Sequence, residues 1–376
     1  MCSCSQTDHE PVSSGGAVRR KRRTALACVL LSVVSLLVAC CIAELALRIF
    51  PPQLGADVLF RAMDRSAFFY SADSEREHPW SRGCSNVLKI AVIGDSFTQG
   101  EGVQFDDRYA ARLERMLNMN TNARPVEVRV FSEPGTSTYQ QLSLLKEALC
   151  WQPDICILGM CLNDTEDWTR PQELGAWRDC CLPRTPPAWL ARIIRSSMLL
   201  TLAYSKEEAF RTRHGLLQYY QRIYDREYSG WKRWVKAVHA FSAGCKEAGC
   251  RLLVVIFPLL DAPFDAGRYP YEKMHSAIRS TLDGADIPYI DLLDQFRGKT
   301  PVRMVATPGI DPHPGEIAHR IAAETIFEQL LARGYIGPEY SLHPRVSAQL
   351  WHKRWLRAAR LKTPAWHLEP HSKRGW

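Results

Sequence analysis

The chain has 376 residues, 46% hydrophobic and 23% charged, with a net charge of +8 and neither internal repeats nor low-complexity segments. The charge is uneven: residues 1–23 carry five Lys/Arg against Asp8 and Glu10, and eight Lys/Arg follow Tyr340 against Glu369 alone, leaving residues 24–340 at −2. A central region of that charge gives nucleic-acid binding no support, and no nucleic acid is expected as a partner.

The basic run Arg19-Arg20-Lys21-Arg22-Arg23 precedes an uncharged stretch, Thr24 to Ala43. Twenty helical residues at about 1.5 Å each reach about 30 Å, the thickness of a bilayer's hydrocarbon core. Residues 24–50 are therefore predicted to be one transmembrane signal-anchor, with residues 1–23 as a cytoplasmic tail and the rest of the chain outside the cytoplasm. Two other readings stand beside it: a cleaved signal peptide, and a bacterial lipobox, Leu37-Val38-Ala39-Cys40, that would lipidate Cys40. Apolar residues continue past Cys40 through Cys41 and Ile42, which favours the uncleaved anchor. Residues 51–86 then read as a juxtamembrane linker.

Leu88 to Gly100 holds most of the functional information. Ile90, Val92 and Ile93 mark a short buried strand that runs into Gly94-Asp95-Ser96, with a helix expected after it. A serine on such a turn is held at the carboxyl edge of a sheet beside helix N–H groups, where an oxyanion is stabilised. Asp95 suits the helix cap. Gly-Asp-Ser is also an ordinary turn tripeptide, so the site must be completed downstream. Val126 to Phe131 is a second strand, followed by a loop in which Gly135 can bring its N–H close to a ligand. Leu142, Leu145 and Leu149 share one face of a crossover helix. Ile155 to Met160 is a third strand, and Asn163 beyond it carries a side-chain amide able to donate to an oxyanion. A turn glycine and a helix cap would read the same way.

A long aromatic-rich insertion, about 165–230, comes next, with Trp168, Trp177, Trp189, Tyr219, Tyr220 and Tyr224. Leu190, Ile194, Met198 and Leu202 fall at i, i+4 spacing and predict an amphipathic helix there. The insertion reads either as a cap over the site or as extra helices on the sheet. Strands follow at Leu252–Phe257 and Ile287–Asp291. In Asp311-Pro312-His313-Pro314 both Asp311 and His313 precede proline and are pushed toward extended conformations. Residues two apart there share a side, so Asp311 can orient the His313 ring. Pro314 suits the first turn of a helix, which places His313 at its N-cap. Ala318, Ala322, Ile326 and Leu330 line that helix, Gly334 stops it, and His319 is assigned to its surface. The tail, residues 336–376, joins Arg345, Lys353, Arg354, Arg357 and Arg360 with Trp351, Trp355 and Trp366, suited either to an anionic membrane or glycan or to packing on the domain.

Alternating strands and helices predict an α/β fold with a parallel sheet covered on both faces, ligands binding at the carboxyl ends of the strands. Eight cysteines lie beyond the apolar stretch, Cys84, Cys150, Cys156, Cys161, Cys180, Cys181, Cys245 and Cys250, with disulfides permitted outside the cytoplasm and Cys156 read as a buried hydrophobe. No metal-ligand spacing occurs, and no cofactor is called for.

In this order, and each at a strand end, the four segments resemble the SGNH (GDSL-type) hydrolase superfamily over roughly Lys89 to Gly334. The resemblance implies a flavodoxin-like three-layer α/β/α domain over residues 87–335 with a five-stranded parallel sheet. It makes Ser96 the nucleophile, His313 the base, and Gly135 and Asn163 the oxyanion donors beside the serine's own N–H. A nearby aspartate orients the base. The usual late motif is Asp-x-x-His, whereas Ile310 occupies that position here and Asp311 lies two before the histidine. Gly159 also stands four residues before Asn163, where many members have Gly-x-Asn-Asp. The function implied is an extracytoplasmic ester hydrolase acting through an acyl-enzyme on an ester-bearing glycan, for instance O-acetylated, or a lipid. Two alternatives are an O-acyltransferase of surface polysaccharide, whose alginate-pathway relatives use an Asp-x-His pair placed before the serine motif, and a non-catalytic binding protein on the same fold.

Overall fold

The computed structural model describes residues 15–50, 86–119, 123–166, 171–182, 184–307 and 311–341. The start of the basic tail, nearly all of the proposed linker with Cys84, Trp168, and the C-terminal tail from residue 342 lie outside the described residues. The described residues divide into two compact units, one within Met1–Arg65 and Arg178–Leu216, the other within Ser66–Trp177 and Leu217–Trp376.

The second unit is built on a five-stranded parallel sheet in the order β2-β1-β3-β4-β5, with β1 Leu88–Gly94, β2 Val126–Ser132, β3 Ile155–Cys161, β4 Arg251–Phe257 and β5 Tyr289–Asp291. Near-continuous apolar runs make these central strands. Every residue of β3 is buried, as is every residue of β4 after Arg251, the pattern of a sheet covered on both faces. At its centre Val92 pairs with Val130 on one side and Ile157 on the other. Strand order reverses about β1, so the crevice that opens at a topological switch point lies at the carboxyl ends of β1 and β3. Ser96 and Asn163 follow those two ends.

Helices α2 (Ser96–Gln99), α3 (Tyr109–Leu117), α4 (Leu142–Leu149), α8 (Ser229–Glu247), α9 (Glu272–Gly284), α10 (Leu292–Phe296) and α11 (Glu316–Ala332) complete this unit, α5 (Pro171–Cys181) leading from it into the insertion. An antiparallel pair, β6 (Val305–Thr307) with β7 (Asp311–Pro314), precedes α11; the sequence indicates extended chain there but not a partner strand. The fifth strand begins at Tyr289 rather than Ile287.

In the first unit α1 runs Gly15–Ile49, and its segment Leu26–Ile49 is long and apolar enough to cross a membrane. The expected amphipathic helix is two helices, α6 (Ala188–Ser196) and α7 (Met198–Ile223, its residues from Leu217 on counted in the second unit), broken at Ser197, which is extended (φ −130°, ψ 126°). Leu190 and Ile194 thus lie on one helix, Met198 and Leu202 on the next.

Candidate active site

Strand β1 ends in Gly94, and Asp95 caps α2 by accepting a hydrogen bond from Phe97 N–H at 2.9 Å. The helix is a single turn, closed by Gly100 in the left-handed region (φ 77°). Its contribution at Ser96 therefore comes from a few individual N–H groups rather than from a long macrodipole. Ser96 itself is buried at the sheet edge.

Close approach explains both glycines that flank this turn. A Cβ on Gly94 would meet the Gly159 carbonyl at 2.6 Å and the Thr98 hydroxyl closer still. A Cβ on Gly159 would press on the same hydroxyl and lie 2.6 Å from Tyr109 Oη. Thr98 and Tyr109 are hydrogen-bonded at 3.0 Å in the core, so neither yields easily. Gly159→Ala should lower stability by about 1–3 kcal/mol, the usual cost of overpacking, read as a fall in the thermal midpoint.

The histidine arrives from the other end of the chain. His313 Nε2 lies 3.0 Å from Ser96 Oγ across 217 residues of sequence, and the Phe97 ring meets the imidazole edge-on at 5.5 Å. Its expected place at a helix N-cap is corrected: the N-cap of α11 is Gly315, and His313 sits in β7. Gly315 N–H donates to the Met304 carbonyl at 2.7 Å, and a Cβ there would run into the Val305 backbone. Pairing with β6 thus carries the extended chain two residues further than Pro314 suggests. Only the backbone of Asp311 is placed, at the start of β7; its side chain lies outside the described residues.

Glu101 was not legible as a site residue. Its Oε2 lies 3.2 Å from the same His313 Nε2, because the Gly100 turn folds the chain back and Glu101 N–H donates to the Ser96 carbonyl at 3.2 Å.

The loops after β2 and β3 meet at the same edge. Glu133 N–H donates to the Gly94 carbonyl at 3.2 Å, which starts the loop carrying Gly135, whose positive φ of 72° suits a residue without a Cβ. Asp164 then ties this loop to the turn after β3. Its carboxylate accepts from Thr138 Oγ1 at 3.0 Å, Gln141 Nε2 at 3.1 Å and Cys161 N at 2.6 Å, while its carbonyl accepts from Thr138 N–H at 3.3 Å. Burial nonetheless pushes the Asp164 carboxyl well above its ordinary range. Asn163 Nδ2 donates to Asp95 Oδ2 at 3.3 Å. The structure thus joins Ser96 to His313 directly, and Asn163 to the residue preceding Ser96.

Full burial raises the Asp95 carboxyl from 3.8 to about 6, against the pull of the Phe97 N–H, the Asn163 amide and His313. The folded protein then holds this proton more tightly than the unfolded chain does. Stability from this group is fullest below about pH 4 and is lost as pH rises through 6, by up to about 3 kcal/mol. In denaturant titrations across pH 4–7, Asp95→Asn should flatten that part of the profile.

Outside this cluster, His319 is corrected from the helix surface to the core. It is fully buried, accepts a hydrogen bond from Tyr109 N–H at Nδ1 (3.3 Å) and stacks on the Tyr109 ring at 5.8 Å. Burial, with Arg112 and Arg108 nearby, holds its imidazole neutral down to about 3. Among the described cysteines Cys150, Cys156, Cys161, Cys180, Cys245 and Cys250 are free thiols, with Cys156 buried in β3. Among the described residues no group of three or more His, Cys, Asp or Glu could hold a metal ion.

Among solved structures the chain is similar to TesA (14% identity, TM-score 0.40, covering 65% of this chain and 98% of that one) and to the acetyl xylan esterase AlAXEase (15%, 0.40, 65% and 100%). A catalytic mutant of Axe2, an acetylxylan esterase from Geobacillus stearothermophilus, is a third (12%, 0.40, 68% and 95%). No curated protein matches the chain. The model of the GDSL-like lipase/acylhydrolase family matches residues 92–321, from the middle of β1 through Ser96, Asn163 and His313 into α11. With more than half its length so matched, the chain belongs to the GDSL-like lipase/acylhydrolase family and is an ester-hydrolysing enzyme.

Proposed function

We propose that the protein is a membrane-anchored serine esterase that works outside the cytoplasm, through an acyl-enzyme, on O-acyl esters such as O-acetylated glycan. The observation that carries the reading is the 3.0 Å contact between His313 Nε2 and Ser96 Oγ. At that distance the imidazole takes the serine proton as Oγ attacks the acyl carbon. The N–H groups of Ser96 and Gly135 and the Asn163 amide receive the oxyanion, and Asp311 orients His313. The imidazolium then protonates the leaving alcohol, and water, deprotonated by the same histidine, releases the acyl group. Leu26–Ile49 as an anchor, with Arg19–Arg23 on its cytoplasmic side, supports the location.

Glu101 has a part in this scheme. Its carboxylate faces the nitrogen that gains the proton and so stabilises the imidazolium. Glu101→Gln should lower kcat/KM about fivefold, the scale of a partly exposed ion pair, with little change in KM for a neutral ester.

The experiment is hydrolysis of p-nitrophenyl esters of increasing acyl length by the detergent-solubilised full chain, with and without a glycan acceptor. Serine-dependent turnover confined to acetate supports the acetyl-ester reading, and preference for long chains redirects it to lipid. Acyl groups appearing on the glycan rather than in water establish the transferase. Inactivity on every ester, with no labelling of Ser96 by a fluorophosphonate, overturns the catalytic reading.

A further inference from the structure

The end of α1 is bonded to the α6–α7 junction. Glu44, in the apolar helix, accepts from Met198 N–H at 2.9 Å, Leu199 N–H at 2.9 Å and Ser197 Oγ at 2.8 Å. Its carboxylate thereby serves the first two backbone donors of α7, beside Ser197 Oγ, which caps the helix by accepting from Leu200 N–H at 3.2 Å. One turn on, Arg48 donates to Glu44 Oε1 at 2.8 Å and to the Ser196 carbonyl at 3.0 Å, the last residue of α6. Both charges of the α1 segment Thr24–Ile49 are spent on this junction.

Depth follows from helix length. The twenty uncharged residues Thr24–Ala43 span about 30 Å, one hydrocarbon core, so Glu44 emerges where the headgroups begin. The α6–α7 junction bonded to it lies at the same level.

The sequence of α6 suits that level. Trp189 is 66% exposed and Ile193 48% exposed, one turn apart on the same face, while Ile194 is buried behind them. Arg184, Arg192 and Arg195 are exposed alongside. From residue 184 to 206 the chain carries four Lys/Arg and no Asp or Glu. A short helix with tryptophan and isoleucine on one face and arginines at its flanks is the composition of a segment lying in a membrane interface, apolar side in the acyl boundary and guanidinium groups among the phosphates. A bilayer already surrounds α1 if α1 crosses it.

We propose that α6 is an interfacial helix, held by the Glu44–Arg48 clasp in the headgroup layer of the membrane that α1 crosses, with Trp189 and Ile193 in lipid and Arg184, Arg192 and Arg195 on anionic headgroups. The proposal rests on α1 as a membrane span and is independent of the esterase chemistry.

The test uses the full chain in phosphatidylglycerol-containing nanodiscs with a lipid bearing a photoactivatable diazirine high on its acyl chain, and adducts mapped by mass spectrometry. Adducts on residues 188–200 as well as on α1 are expected, and a Trp189→Ser/Ile193→Ser variant should lower the α6 yield about tenfold with α1 labelling unchanged. Adducts on α1 alone overturn the proposal, and so does α6 labelling that the double variant leaves intact. Absence of adducts on α1 instead removes the span itself, which separates the two failures. Because the substituted side chains are exposed, the variant keeps the fold. Glu44→Ala, which removes the bonds from α1 to Ser197 Oγ, Met198 N–H and Leu199 N–H, should lower the α6 yield as well.

Discussion

Ser96→Ala is expected to reduce kcat/KM by about a millionfold while leaving the thermal midpoint within a degree or two. In the proposed mechanism the fall comes from losing the hydroxyl that forms the acyl-enzyme, the Oγ that His313 Nε2 meets at 3.0 Å. The fold has little at stake. Alanine fits the space, the cap of α2 is made by Asp95 rather than by the serine, and Nε2 keeps its second neighbour in Glu101. His313→Ala should fall as far, because an unactivated hydroxyl at neutral pH is a poor nucleophile. The decisive measurement is the double variant. If the two side chains act as one unit, Ser96→Ala/His313→Ala is no slower than either single, and each retains a residual acceleration of about 10³–10⁴ over water from the oxyanion donors. Additive losses would mean that the histidine acts on something other than Ser96.

What the sequence made legible were features whose cause is local. The parallel sheet shows in unbroken apolar runs such as Leu252–Phe257. The positions of Ser96, Gly135 and Asn163 after strands β1, β2 and β3 show because each follows its strand within a few residues, where turn chemistry narrows what the residue can be. The Asp95 cap is of the same kind. What was hidden depends on partners far along the chain. Ser197 interrupts an i, i+4 pattern because it caps α7 itself, accepting from Leu200 N–H, while Glu44, over 150 residues earlier, takes its hydroxyl and the Met198 N–H. His319 reads as surface if the buried stripe of α11 is taken as Ala318, Ala322, Ile326 and Leu330 alone. The helix packs against α3 as well as α10, β6 and β7, so the stripe widens to include His319, Ala323 and Phe327. Glu101 follows a left-handed glycine that returns it to the serine, and only the fold shows that this return ends at an imidazole. Pro314 announces a helix correctly, and β-pairing delays it by two residues.

Asn163→Ala should cost about a hundred- to thousandfold in kcat, the usual loss when one oxyanion donor is removed, with KM changing much less. The amide has two N–H groups. One is spent on Asp95 Oδ2 at 3.3 Å, which fixes the side chain's direction; the proposed role assigns the other to an oxyanion at Ser96. If Asn163 is the donor, this arrangement makes Asp95 its positioning residue as well as the cap for the serine turn. Asp95→Asn tests the link: its Oδ1 can still accept from Phe97 N–H, but an amide nitrogen facing Asn163 Nδ2 offers a donor where an acceptor was. Both amides cannot be satisfied without one turning. The expected result is a loss in kcat of one to two orders of magnitude, smaller than for Asn163→Ala. Joined with Asn163→Ala, Asp95→Asn should add little, since the residue it positions is already gone. A full additional loss in the double variant would show that Asp95 serves the reaction through Ser96 alone, and an Asn163→Ala enzyme with unchanged kcat would remove the amide from the oxyanion site.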